Sequence, residues 1–522
     1  MAQELTSKKL GTMPIGKLIF SMSGPAILSM LVQALYNIVD SIFIGMYDPT
    51  NGVLALSYAL PIQLLVNAFG VGLAVGTGSM ISRLLGEGKN KEAGLTAQTG
   101  LLLALIMSAV FAISGYFIAH AFVGIYTDDP VIYKMSADYL TICTCCSFGM
   151  MIELMFNRIL QSMGNMIIPM ITQIVGAVVN IILDPILISV AGMGAVGAAV
   201  ATIIGQIVAM CVPIFIIIKD KSKFDVDIFF TKEYRMRKNI LGGILQVGLP
   251  TIVMNSIGSI MYMIANTLLN GFTTPINDNG TTKDFAVGVW AFGIYFKLNS
   301  FAFMPCFGLN QGCIPIMGYN YGANIRKRFD KTFRLSIIIA LSYMTFATIL
   351  FHAMPVPFLK LFSAPDDAVV LFEGARALRL CSLAFIPAAV SVITIAMFNA
   401  VGHGVKAMLM SVLRQIGLLI PLAIVLSQFT KLGMVGFWIS FPISESVSLA
   451  IFFPIALYTI KKIFLKKDLE MPTSMLDGIL PTPSLDAEID AVEIGVEDEL
   501  TEGKNATDLE EGTTVEIGEE IA

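Results

Sequence analysis

Twelve apolar stretches bounded by charge or turn clusters fill most of this 522-residue chain. Their approximate limits are 18–46, 53–82, 94–123, 132–160, 166–191, 194–218, 240–271, 285–317, 330–352, 370–401, 405–429 and 433–460. Each reaches the roughly 20 residues that cross a bilayer. A segment in lipid must satisfy its backbone polar groups within itself, so each stretch is predicted to be a transmembrane helix. The whole chain is 56% hydrophobic and only 14% charged, with a mean hydropathy of +0.78. An ordinary globular chain carries about a quarter charged residues. A soluble enzyme and a nucleic-acid-binding module are excluded on that ground.

The net charge of -5 hides two opposite parts. Residues 468–522 hold 17 acidic side chains and one basic one, Lys504, leaving 32 Lys and Arg against 21 Asp and Glu elsewhere, a body of +11. The tail has like charges throughout and almost no aromatics, so it cannot bury enough apolar surface to offset its ordering entropy. We expect it to be disordered and cytoplasmic. Basic junctions follow spans 2, 6 and 8, at Arg83 to Lys91, Lys219 to Lys238 and Arg326 to Arg334, whereas odd junctions such as 48–52, 127–130 and 277–284 are poor in Lys and Arg. The positive-inside bias therefore predicts an even number of spans with both termini cytoplasmic, in a plasma (inner) membrane. Lys8, Lys9 and Lys17 precede the first apolar run, which is too long for a signal peptide and reads as a retained span.

An internal repeat organises the spans. Gly72-Leu-Ala-Val-Gly76 with Gly86 returns, 236 residues on, as Gly308-Leu-Asn-Gln-Gly312 with Gly322. Met155-Phe-Asn157 returns as Met397-Phe-Asn399, and Gly194-Ala-Val-Gly197 as Gly433-Met-Val-Gly436. Six spans is an even number, so both halves start on the same side, as parallel repeats related by an axis along the membrane normal. The expected fold is all-α and integral to the membrane. It has one six-helix bundle in 1–218, a basic cytoplasmic linker in 219–239, a second bundle in 240–465 and the acidic tail in 466–522.

Ionisable groups at membrane depth cost about 2.5 to 3.5 kcal/mol each on insertion scales, so each one needs a reason. Asp40, Asp184 and Thr202 lie about 10 to 12 Å below the outer ends of spans 1, 5 and 6 at 1.5 Å per residue. Asn180 stands one turn deeper than Asp184 on the same helix face. Two carboxylates, an amide and a hydroxyl at matched depth suit Na+ or a shared proton. They suit equally a set of satisfied interhelical hydrogen bonds. Aligning Pro185 with Pro421 puts Ile416 and Ile420 opposite Asn180 and Asp184, and Asp40 is matched by Asn266, so the ion chemistry is asymmetric. The second half instead carries Lys297, Arg414 and Glu445 at similar depth. That set reads either as a structural ion-pair network or as a substrate or proton site. Glu153 and Arg158 lie nearer the cytoplasmic end of span 4, where snorkelling or a local pair is expected. Pro25 either bends span 1, coupling Asp40 to helix shape, or kinks it permanently. The seven cysteines fall in apolar stretches and read as small core residues, Cys143 and Cys146 included. Thirty methionines and 34 phenylalanines offer adaptable apolar surface for varied ligands, or simply for lipid.

Four short stretches carry a resemblance: Leu35-Tyr-Asn-Ile-Val-Asp40 with Gly45, Ile81-Ser-Arg-Leu-Leu-Gly86, Asn180-Ile-Ile-Leu-Asp-Pro-Ile-Leu187 and Gly318-Tyr-Asn-Tyr-Gly322. In their order and spacing, residues 15–465 resemble multidrug and toxic compound extrusion (MATE) transporters of the MepA- and DinF-like bacterial branch. The resemblance implies a V-shaped pair of six-helix bundles that exports organic, often cationic small molecules in exchange for H+ or Na+. It implies no cofactor and no enzyme activity, and the transporter is expected to act as a monomer in membrane lipid. By position, Asp40, Asn180, Asp184 and Thr202 match the family's first-bundle cation site, where Na+ is the metal implied, and Glu445 matches an acidic position of the branch. The acidic residue that another branch carries in span 7 is absent from Met254 to Met263. Two other functions are weighed against export. A lipid-linked precursor flippase would need a strongly cationic cavity, and a non-transporting receptor would leave the repeat and the buried carboxylates without a purpose. An intramembrane enzyme is disfavoured because His120, His352 and His403 lie near span ends.

Overall fold

Every predicted span is helical. The computed structural model describes residues 7–47, 51–125, 127, 129–220, 224, 226–230, 234–278, 281–285, 287–360 and 368–470. The acidic tail beyond Glu470 lies outside the described residues. A short α1 (Lys8–Thr12) leads into α2 (Ile15–Tyr47), α3 (Asn51–Gly86) and α4 (Asn90–Val123). The fourth span is two helices, α5 (Pro130–Cys145) and α6 (Phe148–Ser162), bent by 44°. The fifth is α7 (Ile167–Asp184) continued by a π-helical segment, Pro185–Val190, and the sixth is α8 (Gly194–Lys219). α9 (Lys238–Leu269), a hairpin of β1 (Thr274–Asp278) and β2 (Thr281–Phe285), α10 (Val287–Gly322) and α11 (Arg326–Ala353) follow. After the one-and-a-half-turn α12 (Pro355–Lys360), the tenth span is again broken, into α13 (Ala368–Ser382) and α14 (Phe385–Ala400), bent by 43°. The eleventh runs through α15 (Gly404–Val412), a π-helical segment at Leu413–Leu419 and α16 (Ile420–Gln428), and α17 (Met434–Glu470) is the last.

The irregularities fall in corresponding spans of the two halves, the bends in spans 4 and 10 and the π segments in spans 5 and 11. Pro185 opens the first π segment and Pro421 follows the second. Each lacks the N–H that an α-helical turn would require at that point. Hydropathy treats 277–284 as a polar junction, whereas the structure pairs Thr274 with Phe285 and Asp278 with Thr281 in an antiparallel hairpin. The Asn279-Gly280 dipeptide between the strands is a strong two-residue hairpin signal.

Large apolar side chains cover the outside, Phe20 at 82%, Ile113 at 76% and Phe429 at 80% exposure among them. Such a surface is stable only against lipid. Cys211 is part of it and Cys143, Cys145 and Cys146 are half-buried, so only Cys306, Cys313 and Cys381 are the core residues expected of all seven. One continuous core around Phe292, Trp438, Phe437 and Phe441 joins the second half to the start of α2 through Ile15, Leu18, Ile19 and Met22, with Phe292 and Phe437 ring-to-edge at 5.9 Å. The first half has two cores. One gathers Leu85, Met155, Leu160 and Met163, and the other Ile44, Ala119, Tyr139 and Ile188. Part of the predicted linker packs on the first half. Val226 and Ile228 enter the first of these cores, and Gln98 Nε2 of α4 donates to the Asp227 carbonyl at 3.1 Å.

All elements up to Phe464 form one compact unit, in which α3 packs along α9 and α10 along α2. The repeat-related Gly86 and Gly322 meet at the end that carries α1 and the basic junctions, here called the basic end. A Cβ on Gly86 would strike the Tyr319 carbonyl, and one on Gly322 would strike the Arg83 carbonyl. Backbone cannot step aside as a side chain can. Either Gly→Ala change is therefore expected to cost about 1 to 3 kcal/mol. Because both open the same contact, the double variant should lose less than the sum, a test made by thermal unfolding in detergent.

Candidate functional site

Of the four residues at matched depth, the structure gathers three. α7 starts where Asn165 Oδ1 accepts the N–H groups of Ile167 and Ile168, at 3.2 and 3.1 Å, satisfying donors that its first turn would leave open. α7 then runs against α8 with Gly176 facing Gly205, where a Cβ on Gly205 would lie 2.9 Å from the Gly176 carbonyl. That close approach is what brings Asn180, one turn beyond Gly176, to Thr202, one turn before Gly205. Asn180 Nδ2 donates to Asp184 Oδ1 at 3.3 Å and to Thr202 Oγ1 at 3.4 Å. Asn180 is 3% and Asp184 0% exposed. The acceptor oxygen Asn180 Oδ1 is buried with no hydrogen-bond partner among the described residues. A buried oxygen without a donor is an acceptor that a cation or a water would satisfy, and the cluster offers oxygens of an amide, a carboxylate and a hydroxyl. Asp40 lies in α2, but its side chain is outside the described residues. α2 continues through Pro25, with Ser29 Oγ donating to the Pro25 carbonyl at 2.9 Å.

Asn180 and Thr202 face a cavity of about 650 Å³, while Asp184 stands behind them. Gln33 of α2, Gln63 and Asn67 of α3, Glu153 of α6, Gln173 of α7, Gln206 of α8 and Lys297 of α10 line the same space. Its size suits a drug-sized organic molecule. Its amides can donate or accept, so they orient a ligand without selecting its charge. Lys297, grouped by depth with Arg414 and Glu445, is thus on the cavity wall. Arg414, in the second π segment, and Glu445 of α17 form an ion pair at 2.8 Å with side chains 19% and 14% exposed.

Glu153 departs from expectation. Neither snorkelling nor exposed, it is 5% accessible and accepts Gln173 Nε2 at 2.7 Å and Asn157 Nδ2 at 3.3 Å on Oε1. Depth along the chain places a residue between the membrane faces but leaves its direction around the helix open. The missed signal is spacing: Glu153, Asn157 and Gln161 recur every fourth residue, one helix face. Among the described residues no group of three or more His, Cys, Asp or Glu side chains could hold a metal.

The MatE family model matches residues 25–186 and 284–425. The "Multidrug export protein MepA" of Staphylococcus haemolyticus is 26% identical over 437 residues, 83% of this chain and 91% of that protein. The "FAD transporter" of Shewanella oneidensis is 24% identical over 441 residues, 83% of this chain and 92% of its own. Among solved structures, the outward-facing conformation of a multidrug resistance MATE family transporter of the MOP superfamily superposes with a TM-score of 0.81. It is 24% identical, covering 88% of this chain and 98% of that one.

Proposed function

The chain belongs to the MATE family, a family of membrane transporters and not enzymes, and from that premise we propose that it exports organic, often cationic compounds in exchange for H+ or Na+. The observation that carries this reading is the Asn180–Asp184–Thr202 cluster at the edge of the cavity of about 650 Å³. In this reading the coupling ion sits among Asn180 Oδ1, the Asp184 carboxylate and Thr202 Oγ1, with Asp40 completing the set. Substrate occupies the adjoining cavity. Ion and substrate compete because a bound cation draws in the oxygens that the cavity wall otherwise presents. Alternation between the two sides then exchanges one for the other, with substrate leaving on the side away from the basic end.

Lys297 on the wall favours a second reading for substrate, an organic anion such as a flavin nucleotide, in line with the Shewanella relative's name. A lipid-linked pyrophosphate would need several cations, and among the described lining residues Lys297 is the basic one. The test is flux in proteoliposomes of a fluorescent lipophilic cation and, separately, a flavin nucleotide, each under an imposed proton or Na+ gradient. Export of the cation under one gradient is expected. Flux of the flavin alone transfers the assignment to anions, and no flux of either under both gradients sinks the exchanger reading.

A further inference from the structure

A line of buried and half-buried polar side chains leads away from the coupling cluster toward the basic end. On α7, Gln173 stands seven residues before Asn180, about 10 Å deeper at 1.5 Å per residue, and both face the cavity. Gln173 donates to Glu153, and α6 then presents Asn157 and Gln161 at successive turns, 5% and 9% exposed. Asn157 Oδ1 and Gln161 Oε1 are buried acceptors with no hydrogen-bond partner among the described residues. Gln161 is followed by Ser162, where α6 ends. The line covers about 16 Å along α7 and about 12 Å along α6, close to the thickness of a bilayer core of roughly 30 Å.

Resting on the coupling reading above, we propose that Glu153 is a second proton-carrying carboxyl, the inner station between the Asp184 cluster and the basic end. A metal cation fits poorly here, because Glu153 Oε1 already accepts two N–H groups and a hard cation needs several converging oxygens. A proton needs one oxygen. A hydronium ion in the water entering the cavity gives its proton to the carboxylate: one of its O–H bonds breaks, the carboxyl O–H bond forms, and water is left behind. After the transporter alternates, that bond breaks, the proton passes to water near Asn157 and Gln161, and the carboxylate is restored. The titratable groups sharing the cavity are Tyr139 of α5 and Lys297 of α10. α3, α7 and α8 line it with amides and one hydroxyl, with Asp184 beyond Asn180. α4 carries Glu92 and His120 in its first and last turns, and Arg158 lies on α6 itself.

The experiment uses the full chain in proteoliposomes and compares Glu153→Gln with Asp184→Asn. Two rates are read: substrate flux driven by a pH gradient, and substrate–substrate exchange at equal pH, which requires binding and alternation but no net proton movement. Because Glu153 also lines the substrate cavity, the readout is the ratio of the two rates: Glu153→Gln should lower driven flux at least about tenfold more than it lowers exchange, and Glu153→Asp should recover part of the driven flux. Driven flux unchanged in Glu153→Gln overturns the proposal, as does an equal fold loss in exchange and driven flux. Unchanged driven flux in Asp184→Asn beside failure of Glu153→Gln would remove the Asp184 reading and leave Glu153 as the coupling acid. An independent check needs no variant: a hydrophobic carbodiimide, which modifies protonated carboxyls in apolar surroundings, should label Glu153 in the wild-type protein at mildly acid pH. Peptide mass spectrometry finding no adduct at Glu153 from acid to neutral pH would overturn the assignment.

Discussion

Asp184→Asn is expected to reduce gradient-driven export to the level of empty liposomes while the protein stays folded and still binds substrate. The substitution keeps the shape, and its amide oxygen can still accept the Asn180 Nδ2 hydrogen now bonded to Asp184 Oδ1 at 3.3 Å. The single property removed is the negative charge. A fully buried carboxylate can be offset by a bound cation or a proton, and that exchange of counter-charge is the proposed coupling. An amide binds neither with useful affinity, so alternation would continue uncoupled from the gradient. Thermal unfolding should move little, because no packing changes and a buried charge disappears. Driven flux at the wild-type rate would sink the proposed site. A large fall in thermal stability would instead make Asp184 a structural partner of α8.

The second large effect is expected at Arg414 and Glu445, and it falls on stability. Their 2.8 Å contact lies between largely apolar helices, where Ser391 of α14 also hydrogen-bonds Glu445 and Arg414 Nε has no partner among the described residues. Removing one partner strands the other charge. Arg414→Leu or Glu445→Leu alone is therefore expected to destabilise the protein by about 3 to 5 kcal/mol. The double variant replaces the pair by apolar groups of comparable bulk and should recover most of that loss, since desolvation of two ions is removed with their attraction. Unfolding in detergent of the two single variants and the double measures this directly. If the double variant regains stability and also transports normally, the pair is a structural lock. Restored stability with lost transport would give it a part in binding or coupling.

How far the sequence reached can be followed residue by residue. Asn180 and Asp184 were readable as a pair because four residues of helix put them on one face whatever surrounds them. Thr202 shared their depth, but its arrival beside Asn180 depends on Gly176 meeting Gly205, a contact between two helices that no periodicity announces. Position along span 4 alone puts Glu153 near the membrane edge. Its burial follows from the bend between α5 and α6 and from Gln173 reaching it out of another helix. Lys297 was grouped by depth with Arg414 and Glu445, yet depth is one coordinate of three, and α10 presents it to the cavity.

What the sequence by itself determined is the set of twelve helical spans, their alternating junction charge and the repeat, because each of these follows from local chemistry. Twenty apolar residues must become helix in lipid, since no water is present to satisfy an open backbone. The tertiary structure alone decided the rest: where the helices break, which repeat-related glycines let them touch, and which polar side chains share the cavity. These depend on angles and rotations between helices, set by packing among residues hundreds of positions apart, as where Gly86 meets Tyr319.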